Sequence, residues 1–125
     1  MSIQDDIQKH PMDNFLLDEF NCPCCGANAM KLQFLRKLDA ARNLAGIGFK
    51  ITSGFRCEKW NDQVDGEPDS RHLIGEAADI RARTSEARGR IIKACQEVGL
   101  VSFSISKKPG FVHVDTYEKP WIGLY

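Results

Sequence analysis

The sequence predicts an α+β domain in which a small, mostly antiparallel sheet is flanked by helices. Two stretches, 28–45 and 85–98, carry apolar residues at helical spacing, while shorter stretches alternate apolar and polar residues as strands do. Helices and strands are segregated along the chain, which favours an antiparallel sheet over a doubly wound one. With 42% hydrophobic residues, a chain of this length can bury one modest core, so we expect a single domain over residues 1–125.

The first half of the chain is expected to supply one helix and one strand. Residues 1–14 are predicted to form a loose lead-in. The helix over 28–45 repeats its apolar positions every three or four residues and stops at Gly46, a residue suited to a left-handed C-cap. A half-buried strand follows at 49–53, where apolar and polar residues alternate.

The second half is expected to supply the remaining strands and a second helix. Residues 58–71 are rich in Asp, Asn, Gly and Pro, which predicts a loop with one helical turn. A short strand at 77–82 precedes the helix at 85–98. A hairpin of 100–105 and 111–115 then completes the sheet.

Charge and hydropathy exclude several kinds of partner. Seventeen basic residues balance seventeen acidic ones, so no net field attracts a nucleic acid. No apolar run approaches the roughly twenty residues of a membrane span. The first residues also lack the pattern of a signal peptide. We therefore expect a soluble monomer, cytoplasmic on synthesis, that recognises its partner locally.

Two histidines and one aspartate form the first candidate site. His72 ends the polar loop, Gly75 permits a sharp turn, and Asp79 follows on the outward face of the next strand. His113 shares one strand face with Asp115 and can reach the same point if the two strands are neighbours. Each residue alone is more often an ordinary hydrogen-bonded polar group. Together they are the ligand set of a catalytic zinc ion with a fourth position for water.

The cysteines form a second candidate site. Cys22, Cys24 and Cys25 lie within Asn-Cys-Pro-Cys-Cys-Gly, and Cys57 follows the first strand. These four could hold a structural zinc ion, although their spacing is not that of two Cys-x-x-Cys knuckles. Small buried thiols, a local disulfide formed in an oxidising exterior and a redox module are the alternatives.

The chain resembles a known family through three motifs: Ser53-Gly-Phe-Arg56, Ser70-x-His72-x-x-Gly75-x-Ala77-x-Asp79 and Phe111-Val-His113-Val-Asp115. Their combination is similar to the zinc D-alanyl-D-alanine carboxypeptidases and related peptidoglycan peptidases, including phage endolysins. The resemblance covers residues 15–116. It implies the small antiparallel sheet with flanking helices that this family shares with the Hedgehog domain. It also implies that His72, Asp79 and His113 are ligands of Zn2+.

The resemblance implies two substrate-binding residues as well. Arg56 is expected near the metal, where a guanidinium can bind a peptide carboxylate or polarise a carbonyl. The alternative for Arg56 is an internal ion pair with Asp79 or Asp115. Ser70 is expected to orient its loop by hydrogen bonding, because a metal-activated water is the nucleophile in such enzymes.

The activity implied is hydrolysis of an amide bond at or near D-alanine in the peptidoglycan stem peptide or its cross-link. The lack of an export signal would suit a phage-type lytic enzyme released to the cell wall. Many relatives carry Asp or Glu three residues before the last histidine, where this chain has Gly110. Asp115 is then either the general base or a carboxylate that orients His113, and Glu67 or Glu118 could also act as base. A zinc-stabilised binding module with weak or no catalysis is the alternative function.

Overall fold

A five-stranded sheet forms the centre of the fold, which a computed structural model describes for residues 2–125. Its strands are β1 (Ile51–Ser53), β2 (Ala77–Arg81), β3 (Ser102–Ser106), β4 (Phe111–Asp115) and β5 (Trp121–Leu124). Their order is β1-β2-β4-β3-β5, with three antiparallel pairings and one parallel pairing, between β3 and β5. The predicted α+β class is confirmed, and the sheet is mixed only through β5, a strand that the sequence analysis did not predict.

Four α-helices accompany the sheet within residues 2–125: α1 (Ile3–Lys9), α2 (Leu32–Ala45), α3 (Glu58–Gln63) and α4 (Ser85–Glu97). Thr84 caps α4 by accepting a hydrogen bond from the backbone of Ala87 at 3.1 Å. Gly46 ends α2 in the left-handed conformation, as expected. The start of α2 lies four residues later than predicted, because the preceding segment is extended and Lys31 donates its N–H to the carbonyl of Gly75.

The hydrophobic core lies between the sheet and the two longest helices. Leu35 and Leu38 of α2, Ile91 of α4, and Ile80 and Val112 of the sheet are all inaccessible to solvent. Complete burial of each such side chain stabilises the fold by about 1.5–3 kcal/mol. The alternate residues of β2 and β4 point away from these helices, and the candidate metal ligands are among them.

The N-terminal lead-in, residues 1–14, contains helix α1 and one core residue, Met12, features that the sequence analysis did not predict. Asp6 of α1 pairs with Arg36 of α2 at 2.8 Å. Met12 and Phe15 are buried in the core, and Asp39 accepts hydrogen bonds from the backbone between them. Along residues 2–125, no helix combines the length and the apolar character that crossing a bilayer requires.

Candidate metal centre and active site

His72, Asp79 and His113 bring three potential ligand atoms to one point. Asp79 Oδ1 lies 3.3 Å from His72 Nε2 and 2.9 Å from His113 Nδ1. The two ring nitrogens are 3.3 Å apart. His72 and Asp79 are only 2% and 5% exposed, and the side chain of His113 is 13% exposed. The three residues predicted from the sequence therefore do converge.

The outer nitrogen of each imidazole has a partner that fixes the tautomer. His72 donates its Nδ1 hydrogen to the carbonyl of Gly54 at 2.7 Å. His113 donates its Nε2 hydrogen to Asp115 Oδ2, also at 2.7 Å. The inner nitrogens of both neutral rings consequently present lone pairs toward Asp79. Such outer-sphere hydrogen bonds are the usual way in which proteins orient histidine ligands for a metal.

The three inner atoms fit a zinc ion. All three are acceptors when the histidines are neutral, and acceptors this close repel one another unless a proton or a metal cation lies between them. Atoms bound at about 2.0–2.1 Å to a tetrahedral zinc lie about 3.3 Å from one another. The observed separations of 2.9–3.3 Å match these edges. Two histidines and one carboxylate also leave one position of a catalytic zinc site for water.

Local structure explains why His72 and Asp79 meet although seven residues separate them. His72 lies in a 3-10 helix, Arg71–Ile74, which Ser70 caps by accepting the N–H of His72 at 3.2 Å. Gly75 then reverses the chain with a φ of 74°, and a Cβ at this position would lie 2.0 Å from the carbonyl oxygen of Ala29. β2 begins two residues later, and its register places Asp79 directly opposite His113 on β4.

Burial, hydrogen bonds and neighbouring charges shift the pKa values of Asp79, His113 and Asp115 in the metal-free site. Burial opposes ionisation of Asp79, but hydrogen bonds from His113 and His72 outweigh it and lower the pKa of this carboxyl well below its usual range. Burial likewise disfavours the imidazolium of His113, yet Asp115 and Asp79 raise its pKa to about 9. Hydrogen bonds from His113 and the backbone of Tyr117 lower the pKa of Asp115 despite its partial burial. Carboxylates therefore flank His113 on both of its nitrogens.

Arg56 forms the internal ion pair that was the alternative to substrate binding. Its guanidinium donates to Asp79 Oδ2 at 3.3 Å, to Ser53 Oγ at 3.1 Å and to Asn61 Oδ1 at 3.2 Å. Its side chain nevertheless remains 14% exposed and lines the pocket above the ligands. Asn61, a buried residue that sequence reasoning missed, orients this arginine and bonds to the carbonyl of Glu67 at 2.9 Å.

The ligands lie beneath an open pocket of about 390 Å³. Arg56, Ser70 and Asp115, all predicted site residues, line this pocket. Sequence reasoning missed Arg71 and Tyr125, which also line it. The guanidinium of Arg71 lies 5.3 Å from the centre of the Tyr117 ring.

The candidate general bases differ in their hydrogen bonds, their exposure and their place relative to the pocket. Asp115 already accepts two hydrogen bonds, from His113 and from the N–H of Tyr117 at 2.8 Å. Glu67 is exposed and lines the pocket. Glu118 is exposed, and it is not one of the described residues that line this pocket. Gly110 lies at the start of β4 with a φ of 102°, and a Cβ there would face Ala82 and Arg83 rather than the pocket.

The four predicted cysteines also converge, on the loop that precedes α2 and at the start of α3. The sulfur atoms of Cys22, Cys24, Cys25 and Cys57 all lie within 4.8 Å of one another. All four are free thiols. Two groups in residues 2–125 therefore have the composition and spacing of metal sites.

The comparisons with known proteins agree with the ligand geometry. The sequence model of the family described as peptidase M15 matches residues 13–115, which include the histidines, the aspartates and the arginine described above. No curated protein matches the chain. The peptidases of this family depend on zinc. The chain therefore belongs to the peptidase M15 family of zinc metallopeptidases.

Proposed function

We propose that this protein hydrolyses an amide bond at or near D-alanine in the peptidoglycan stem peptide or its cross-link. One observation carries the proposal: three potential ligand atoms, from His72, Asp79 and His113, converge beneath an open pocket of about 390 Å³. We further propose that the protein acts as a monomer, as a phage-type lytic enzyme released to the cell wall.

His72, Asp79 and His113 would hold the zinc ion. When bound, zinc supplies a Lewis acid for the scissile carbonyl and a water molecule of lowered pKa. Gly54 and Asp115 keep the two imidazoles in the ligating tautomer. Arg56 holds the second oxygen of Asp79, so this carboxylate presents only Oδ1 to the ligand position.

Two guanidinium groups are placed to bind the substrate. Arg56 lines the pocket beside the ligands, where it can approach the carbonyl of the scissile bond. Arg71, whose guanidinium lies over the Tyr117 ring, also lines the pocket and can pair with a carboxylate of the stem peptide. Ser70 shapes this wall by capping the 3-10 helix that carries His72.

The proton of the attacking water requires an acceptor, for which we propose Glu67. Its loop is fixed by the hydrogen bond from Asn61 to its carbonyl, and this exposed residue lines the pocket. Asp115 is the weaker candidate because both of its oxygens already accept hydrogen bonds. Its interaction with His113 is that of a carboxylate that orients a ligand.

The decisive experiment incubates the zinc-loaded protein with purified peptidoglycan and measures new amino groups, with mass spectrometry of the released fragments. We expect a D-alanine-containing cut that a chelator abolishes and that zinc restores. His72→Ala should remove both the activity and one equivalent of zinc. An unchanged fragment pattern in the presence of either the chelator or this variant would exclude the proposal.

A zinc-stabilised binding module remains the second candidate, and the two hydrogen bonds that Asp115 accepts favour it because they stabilise the ionised carboxylate and so weaken it as a base. This alternative predicts zinc at one equivalent in the histidine site and binding of peptidoglycan fragments without turnover. Retained fragments of unaltered mass, in a pull-down with zinc-loaded protein, would distinguish it from the peptidase.

A further inference from the structure

The cysteine cluster contains four reduced thiols rather than a disulfide. The sulfur of Cys22 lies 3.8 Å from that of Cys24 and 3.7 Å from that of Cys57, and the Cys24 to Cys57 separation is 3.3 Å. A disulfide bond would require about 2.05 Å. Sulfur atoms bound at about 2.3 Å to one tetrahedral zinc lie about 3.8 Å apart. The three separations are therefore close to the edges of a zinc tetrathiolate.

Backbone groups support negative charge at these sulfurs. The N–H of Cys57 points to Cys22 Sγ at 3.5 Å, and the N–H of Trp60 points to Cys57 Sγ at 3.4 Å. Hydrogen bonds from backbone N–H groups stabilise thiolates and are a common outer sphere of metal-bound cysteine. Cys22 itself is buried, whereas Cys24 and Cys25 are exposed, so the cluster lies at the surface with one side embedded in the protein.

The loop that carries the first three cysteines has the conformation of a compact turn. Cys22 donates its N–H to the carbonyl of Ala27, and Gly26 donates its N–H to the carbonyl of Cys22, both at 2.8 Å. Gly26 adopts a φ of 74°, which reverses the chain after Cys25. The turn thus presents the sulfurs of its cysteines toward Cys57, which lies 35 positions after Cys22 in the chain.

We propose that Cys22, Cys24, Cys25 and Cys57 bind a second, structural zinc ion. Four soft sulfur donors with no position left for water form a closed site, which is the arrangement of structural rather than catalytic zinc. The ligands of this zinc would be separate from those of the histidine site, since the two groups share no residue.

The second zinc would fasten together the backbone that builds the catalytic centre. Phe55 donates its N–H to the carbonyl of Phe20 at 2.9 Å, and Gly54 approaches Phe20 so closely that a Cβ would lie 2.6 Å from its Cα. Gly54 in turn accepts the hydrogen bond that orients His72. Arg56 directly precedes Cys57. A cross-link at Cys57 would therefore hold both the orienting carbonyl and the arginine in place.

Metal analysis of purified variants tests the assignment. We expect two zinc equivalents per chain in the wild type, one in His72→Ala and one in Cys24→Ser/Cys57→Ser. Cys95→Ala is the matched control, because Cys95 is a buried thiol outside the cluster, and it should keep both equivalents. Equal zinc in the wild type and the double cysteine variant would overturn the proposal, as would iron in place of zinc. A wild-type protein that holds zinc only at the cysteines would contradict the peptidase function but not this site.

Two measurements on the unmutated protein cover the case in which the double variant does not fold. Cobalt substitution should give thiolate-to-metal charge-transfer absorption, which ligands from histidine and aspartate cannot produce. Cys24 and Cys25, although exposed, should react with a thiol reagent only after a chelator is added. Immediate reaction of these exposed thiols, or a Cys24–Cys57 disulfide found under non-reducing conditions in freshly purified protein, would overturn the proposal.

Discussion

Asp115 accepts the Nε2 hydrogen of His113 at 2.7 Å, and this one bond decides which nitrogen faces the metal position. With Nε2 protonated, the lone pair of a neutral His113 lies on Nδ1, which is 2.9 Å from Asp79. The two residues lie on the same face of β4, two positions apart, so strand alternation is sufficient to bring them together.

Replacing Asp115 should weaken zinc binding without removing a ligand. Asp115→Asn removes the negative charge that makes Nδ1 of His113 a stronger metal ligand. We therefore expect zinc affinity to fall about 10- to 100-fold. Competition with a chromophoric chelator measures this change. Asp62→Asn, on the exposed surface of α3, is the matched control and should bind zinc as the wild type does. Unaltered affinity in Asp115→Asn would show that the hydrogen bond does not tune the ligand.

Measuring both turnover and zinc content distinguishes a general base at Glu67 from one at Asp115. If Glu67 takes the proton of water, Glu67→Gln should lower kcat by about 10²- to 10⁴-fold while zinc content stays constant. Full activity of this variant would remove Glu67 from the mechanism. Gly110→Glu should not add activity, because the side chain would face Ala82 across a strained backbone rather than the pocket.

The convergence of the proposed metal ligands could be predicted from the sequence because it depends on local rules. The period of two along a strand separates Asp79 and His113 from the core residues beside them, and a short loop with Gly75 returns His72 to the same place. The four cysteines could also be named as a candidate site from the sequence, but their proximity could not be derived from it. The two segments that carry them meet through the contact of Phe20 with Gly54, a relationship between distant segments that no periodicity reveals.

The features that sequence reasoning missed depend on long-range pairing. β5 lies parallel to β3, and parallel neighbours are not joined by a hairpin turn that could be recognised in the sequence. Tyr125, which follows β5, reaches the pocket only because of this pairing. Helix α1 has only seven residues, so its two apolar positions, Ile3 and Ile7, are too few for periodicity to identify a helix, and its pairing with Arg36 is not visible in the sequence.

The two arginines of the pocket should have different roles. Arg56→Ala leaves the buried Asp79 carboxylate without its ion pair, and we expect weaker zinc binding and lower stability. Arg71→Ala should leave zinc binding unchanged and should raise KM for substrates with a free carboxylate, typically by about tenfold or more for a lost charge-assisted hydrogen bond. Kinetics on a stem peptide and its C-terminal amide would measure the difference. Equal KM effects on both peptides would contradict carboxylate recognition by Arg71.

Replacing Gly75 should destabilise the fold for two reasons, and the same replacement at a control glycine tells them apart. A side chain at this position costs about 1–2 kcal/mol for the left-handed backbone. It also collides with Ala29, because the Cβ would lie 2.0 Å from a carbonyl oxygen. Gly46 has a similar φ of 68° but open space around it, so Gly46→Ala should cost only the backbone term. Denaturant unfolding should therefore show a larger loss for Gly75→Ala, and equal losses would mean that the close contact is relieved elsewhere.

Proton competition at His113 should make zinc affinity depend on pH. In the metal-free protein Asp115 and Asp79 overcome the effect of burial and raise the pKa of His113 from 6.5 to about 9. A raised folded-state pKa stabilises the metal-free fold fully below pH 6.5, and this stability is lost as the pH rises through 9. Zinc must displace the same proton, so its apparent affinity should increase about tenfold per pH unit up to that value.

Thermal unfolding and zinc titration between pH 6 and 10 measure both effects. The metal-free protein should lose stability toward pH 10, whereas zinc-loaded protein should not lose the His113 contribution, because the metal has replaced the proton. Asp115→Asn should move the inflection of the affinity profile to lower pH, since one of the two carboxylates that raise the pKa has been neutralised. A zinc affinity that is constant between pH 7 and 9 would mean that His113 is already unprotonated at Nδ1 in the metal-free protein.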